Sequence, residues 1–374
     1  MTRWLFAVLS LVASVDVAAC PLCLGAFQSS AASQLVLLPR AVLAVPSASG
    51  DRYRVVEVIK GERPPGGSID AAAVQLKATE TGTTKTLLLV SDNAWPVWIG
   101  LGAIGGEHAS WLRQLAAGKR TTEMTAEEWR ARVALMLPYL ENREPLAAEI
   151  AYGEFADAPY AALLTVKSRL SASTIRRWLG DPKLAARQPL YLLLLGIAGD
   201  AQDTERIEER LDAAWQSGNA ANVGSLIAAD LQLRGPVRMA WVEERYLTDP
   251  KRSTPEIEAA LLALSVHGNA NGAITRQRVI RSYRLFMKQH KDIAGYVAQD
   301  LAAWQYWDAV PEYSALMKSN VRQQYPSRVA IVAYLRQSPS GKAGGIDLPP
   351  PEDLSLGQTP SAGRNAGTIP VLPQ

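Results

Sequence analysis

Cysteine and histidine are scarce in this chain. Its 374 residues include two cysteines, Cys20 and Cys23, and three scattered histidines, His108, His267 and His290. A closed zinc site takes four ligands, and no second pair stands ready to join the two thiols, so neither a confident metal site nor a resident cofactor follows. No Gly-x-Ser-x-Gly elbow, phosphate loop or His-Glu-x-x-His helix is present. Adjacent acids such as Glu208-Glu209 and Glu243-Glu244 point about 100° apart on a helix and do not converge on one substrate. The expectation is a protein that is not an enzyme, with no catalytic residue to name. After the N-terminus no apolar run approaches 18 residues, which leaves no second membrane-spanning candidate. Charge of one sign is also lacking. The net charge is +3, too little for whole-molecule attraction to nucleic acid.

The N-terminus carries an address. Arg3 precedes a short apolar run over residues 4–15, Asp16 interrupts it, and Val17-Ala18-Ala19 has the small-residue form of a cleavage site. Residues 1–19 are read as a signal peptide, which implies a periplasmic or extracellular location. Val17-Ala-Ala-Cys20 is also similar to a relaxed lipobox, in which Cys20 would carry a lipid anchor. Asp16 and Pro21 favour simple secretion. In an oxidising compartment a disulfide is the default for Cys20-Pro-Leu-Cys23. Soft-metal binding and redox exchange are the alternatives, and the second is weakened because no strand precedes the motif to build a redox site around it.

Residues 20–106 read as a small β-rich domain. Residues 34–45 form an apolar run broken by Pro39, residues 52–60 alternate, and residues 74–77, 85–90 and 95–104 are further strand candidates between Gly and Pro turns. From residue 107 to 338 the period becomes helical. Thr125 and Glu128 form a capping box, Ser171 caps the next helix, and Pro255 sits at a helix start. Gly199, Gly235 and Gly268 follow apolar helices at spacings of 36 and 33 residues, suggesting stacked helix pairs with each glycine in the left-handed position after its helix. Residues 339–374 are rich in Pro, Gly and Ser and are expected to be a disordered tail.

Leu190-Tyr-Leu-Leu-Leu-Leu-Gly196-Ile-Ala-Gly199-Asp200 resembles the second helix and turn of HEAT-type repeats. Cys20-Pro-Leu-Cys23, Tyr53-Arg-Val-Val-Glu-Val-Ile-Lys-Gly61 and Tyr152-Gly-Glu-Phe-Ala-Asp-Ala-Pro-Tyr160 together resemble a family of secreted bacterial proteins that brings no activity with it. The Tyr53–Gly61 stretch, with the apolar strand before it and the N-terminal cysteine, is similar to OB-type barrels of metalloproteinase inhibitors. The additional disulfide cysteines of those inhibitors are missing here, so inhibition does not follow. The fold class these likenesses imply is mainly α: a HEAT-like α-solenoid after a small OB-like, barrel-like β domain.

Two stretches are candidate contact sites. Tyr152, Glu154, Phe155, Asp157 and Tyr160 are a candidate ligand groove or, alternatively, a helix end packed on its neighbour. Arg278, Arg281, Arg284, Lys288 and Lys291 recur at three and four, while Val279, Ile280, Tyr283, Phe286 and Met287 fall mostly on the other side. Residues 276–291 hold six Lys/Arg and no acid. This stripe is a candidate dock for an acidic protein or an anionic envelope polymer, unless neighbouring carboxylates, Glu256 and Glu258 first among them, neutralise it. The three histidines are expected on the surface or at helix caps. The function expected is binding or scaffolding at an envelope partner, and the rival is thiol redox or soft-metal handling by Cys20 and Cys23.

Overall fold

A computed structural model describes residues 30–92 and 97–345. The signal sequence, Cys20 and Cys23 lie outside the described residues, as do residues 346–374 of the expected tail. The chain divides into two compact units, the first ending at Ser282 and the second beginning at Tyr283. The chain is mainly helical with a six-stranded sheet near its N-terminus.

The sheet is formed by β1 (Arg40–Pro46), β2 (Arg52–Lys60), β3 (Ser68–Asp70), β4 (Val74–Gln75), β5 (Leu87–Ser91) and β6 (Trp98–Ala103), in the order β3-β2-β1-β5-β6-β4. All neighbours are antiparallel except β4 and β6. The two edge strands, β3 and β4, are separated only by the turn Ala71–Ala73. A chain that short spans roughly 10 Å, whereas six flat strands would set their edges about 24 Å apart. The sheet therefore curls almost shut. Val42, Ala44, Val55, Ile69, Leu87, Leu89 and Trp98 fill the interior. On the other face of β1 and β5, Ala41, Leu43, Leu88 and Val90 are also fully buried. Helix Ala109–Ala116 packs on β2 and helix Pro145–Asp157 on β6. Contacts thus run straight through residues 106–107.

The run at residues 34–45 is a correction. Its first part is a helix, Ala31–Leu37, capped by Ser30, whose Oγ accepts the Ser33 N–H at 3.0 Å. Only after Pro39 does it extend into β1. A seven-residue helix has barely two turns, too few for the helical period to separate from a strand's alternation.

Among the helices, the capping box Thr125–Glu128 and the Ser171 cap are present. Helix Gln188–Ala198 packs on Val223–Arg234, which packs in turn on Thr254–Ala270. Of the three spaced glycines only Gly235 has a positive φ, +71°. Gly199 has φ −73°, and Gly268 lies inside its helix, which ends at left-handed Asn271 instead. The glycine that matters most for stacking is Gly196. A Cβ there would lie 2.6 Å from Ala229 Cα, so its absence lets two helices cross at backbone distance. Gly196→Ala is expected to lower stability by about 1–3 kcal/mol through overpacking, read as a shift of the urea midpoint at unchanged m-value.

The second unit contains helices Ala298–Ala303, Val310–Lys318 and Tyr325–Gln337. Tyr313 and Tyr334 are buried edge to face. Gly295 accepts the close approach of Ser327, whose oxygen would sit 2.0 Å from a Cβ. Ordered helix continues past residue 338: Ser338 is buried and caps Pro339–Lys342. The expected tail therefore begins several residues too early, because the Ser-Pro start of a short helix has the composition of a linker.

Candidate functional site

The basic stripe lies on helix Arg276–Gln289 and the residues just after it. Ser282, Tyr283, Phe286 and Met287 are buried, while Arg281, Arg284, Lys288 and Lys291 are exposed. Leu285, 43% exposed, sits among them. Arg281, Arg284, Leu285 and Lys288 follow the i, i+3, i+4, i+7 rhythm of one helix face.

Arg278 is different. Its guanidinium and the Ser282 hydroxyl both donate to Glu243. Burial pushes the Glu243 carboxyl up, but the hydrogen bonds from Arg278 and Ser282 and the charges of Arg278 and Arg281 outweigh it and hold the group below its ordinary range. Glu243 opens a π-helical turn, Glu243–Leu247, in which the Thr248 N–H reaches back five residues to the Glu243 carbonyl. The two acids expected to neutralise the stripe do not. Glu256 is buried and bonds Arg252 and Ser253, and Glu258 is exposed. Among the described residues no carboxylate lies within 4.0 Å of Arg281, Arg284, Lys288 or Lys291.

Arginine outnumbers lysine 28 to 11, and elsewhere in the chain it serves a structural purpose. Arg238, Trp241, Arg245, Trp215 and Arg252 alternate in one stack, with guanidinium-to-ring distances of 3.9 to 5.0 Å. Each arginine also meets a carboxylate: Asp230 for Arg238, Asp212 for Arg245, Asp249 and Glu256 for Arg252. A planar guanidinium stacks and forks at once, which an ammonium does not.

Residues 152–160 are not gathered into one groove. Tyr152 lies under the Arg187 guanidinium at 4.8 Å, Glu154 is buried against Arg132, and Phe155 is in the core. Asp157 is half-buried, and burial pushes its carboxyl up. Tyr160 is buried and reaches Gln232 at 3.3 Å. A groove of about 320 Å³ does open nearby, lined by Leu137, Pro138, Leu140, Leu170, Ile175 and Trp178. Behind it Trp178 packs on Tyr191. The Tyr191 hydroxyl and Arg187 both donate to Glu141, a non-glycine residue with φ +53°. This left-handed residue is held by its two partners. The sequence offered no signal for it beyond the Pro138 turn.

The histidines are also corrected. His267 is 1% exposed, with Nε2 2.9 Å from the Ala228 carbonyl. His290 is half-buried and stacks on Phe286. His108 is buried and, with Glu107 and Glu144, makes the one group of three potential metal ligands among the described residues. Its hydrogen bonding argues against a cation. The Trp111 indole, a donor only, gives its N–H to His108 Nδ1 at 2.8 Å. The ring proton of neutral His108 is then on Nε2, 3.2 Å from Glu144 Oε2. That oxygen also accepts the Gly105 N–H at 2.8 Å. A metal on Nε2 would require both ring nitrogens to lose their protons. The cluster is a joint between β6 and the helix that Glu144 precedes. Among the described residues no helix is long and apolar enough to cross a membrane. No protein family, curated protein or solved structure matches the chain.

Proposed function

We propose that this chain is an exported, non-enzymatic binding or scaffold protein that presents the basic face of helix Arg276–Gln289 to an acidic protein or anionic polymer of the cell envelope. The observation that carries the reading is the row Arg281, Arg284, Lys288 and Lys291, exposed and with no carboxylate within 4.0 Å among the described residues. Maintaining four like charges on one face costs self-repulsion, which an acidic ligand relieves. A HEAT-like solenoid after an OB-like barrel is the architecture we infer. The successive packing of helices Gln188–Ala198, Val223–Arg234 and Thr254–Ala270 supports the first part, and the near-closed sheet supports the second. Export rests on residues 1–19 alone.

Poly-glutamate is the probe. Arg281→Glu with Arg284→Glu changes only exposed side chains, so the fold should survive, with each change within about 0.5 kcal/mol. Binding is expected to be salt-sensitive in the wild type and at least about tenfold weaker in the double variant at low ionic strength. Equal, salt-insensitive binding by both proteins, with unchanged far-UV circular dichroism, removes the basic face from the function.

A further inference from the structure

The same helix face has a second feature that matters: an apolar spot, Leu285, set among the cations. The unit that begins at Tyr283 has eight Lys/Arg and four Asp/Glu between residues 283 and 345, a balance of 8 − 4 = +4. One of the four acids, Asp300, accepts the hydroxyl of buried Tyr283 and so lies toward the covered side of the helix. Beyond residue 345 the sequence turns acidic: Asp347-Leu348-Pro-Pro-Pro-Glu352-Asp353-Leu354-Ser-Leu356 carries three carboxylates, three leucines and no cation.

We propose that residues 347–356 dock on the basic face of helix Arg276–Gln289 in the same chain, their carboxylates meeting Arg284, Lys288 and Lys291 and a leucine covering Leu285. The charge fits: three carboxylates with no cation among them match Arg284, Lys288 and Lys291, which have no carboxylate within 4.0 Å among the described residues. The reach also suffices. The Gln324 N–H donates to the Asp292 carbonyl at 2.9 Å, so helix Tyr325–Gln337 starts beside the end of the basic stripe. That helix is about 20 Å long, and Pro339–Lys342 packs back on it. The seven residues from Gly345 to Glu352 extend about 24 Å. Each exposed ion pair contributes little, about 0–1 kcal/mol, but the tether supplies an effective concentration on the order of millimolar. Docking is therefore populated at low salt and released by screening or by a competing acidic ligand. The proposal shares its surface with the function above but requires no external partner.

Zero-length carbodiimide coupling of the full chain at low ionic strength, followed by peptide mapping of the monomer, tests it. Amide links from Lys288 or Lys291 to Asp347, Glu352 or Asp353 are expected, and they should fall at least fivefold in 0.5 M NaCl. Absence of those links, or links spread evenly over other exposed lysines such as Lys77 and Lys119, overturns the proposal. A chain ending at Gly345 supplies the second arm. It should bind poly-glutamate several-fold more tightly than the full chain, and equal affinities would count against docking. If neither form binds poly-glutamate while the salt-sensitive links form, docking stands and the external-partner reading fails.

Discussion

Glu154→Ala is expected to destabilise the chain by about 3–5 kcal/mol, the largest single effect we anticipate. Glu154 is 2% exposed and receives the Arg132 guanidinium at 2.8 Å. Arg132, 6% exposed, also donates to the Lys119 carbonyl, and Gly118 has no side chain because the guanidinium occupies its place. Removing the carboxylate leaves a buried cation with one carbonyl for company. The pair itself is not a strong stabiliser. Burial pushes the Glu154 carboxyl above its ordinary range, and the opposing attraction of Arg132 does not bring it back. A carboxyl whose folded pKa is raised contributes stability below its unfolded pKa and loses it as pH rises, so at neutral pH the ionised group is a net cost. Hence the contrast that checks the argument: Arg132→Met with Glu154→Leu should match or exceed wild-type stability at pH 7 in urea unfolding. A double variant as unstable as the single one would show that the pair is needed for the packing itself.

Acid should act through His267. It joins helix Thr254–Ala270 to helix Val223–Arg234 through the Ala228 carbonyl, and its ring meets Tyr160 edge on at 5.5 Å. Burial pushes its pKa down to about 4, with the Ala228 bond a lesser, opposing influence. The unfolded ring titrates near 6.5. Between these values the unfolded chain binds the extra proton, so stability is full above about pH 6.5 and falls as pH drops toward 4. The loss by pH 4 is about 3 kcal/mol. His267→Gln keeps an N–H for Ala228 and removes the titration. Urea midpoints at pH 7, 5.5 and 4 should show wild type losing about 3 kcal/mol more than the variant across that range. Parallel pH profiles would place the acid sensitivity elsewhere.

These two residues mark the limit of what local pattern reveals. The alternation of residues 52–60, the capping box at Thr125, and the split of residues 276–291 into a buried apolar side and a cationic side were all legible, because each depends on neighbours within one or two turns. The helix Ala31–Leu37 had a local signal too, the Ser30 cap, hidden by a run too short to show its period. His267 had none. An imidazole at the end of an apolar helix has the same sequence whether it meets water or a backbone carbonyl 39 residues away.

The mainly helical character, the early β region, and the cation-rich face of one helix were therefore determined by the sequence itself, through periodicity, capping and turn chemistry. Tertiary structure decided which charges are spent internally. It set Glu154 against Arg132 and Glu243 against Arg278, kept Glu256 for Arg252, and left Arg281, Arg284, Lys288 and Lys291 exposed. The physical reason is that an ion pair needs its groups within about 4 Å. For partners 22 or 35 residues apart, that distance depends on which helices stack and on details such as a π turn or a missing Cβ at Gly196.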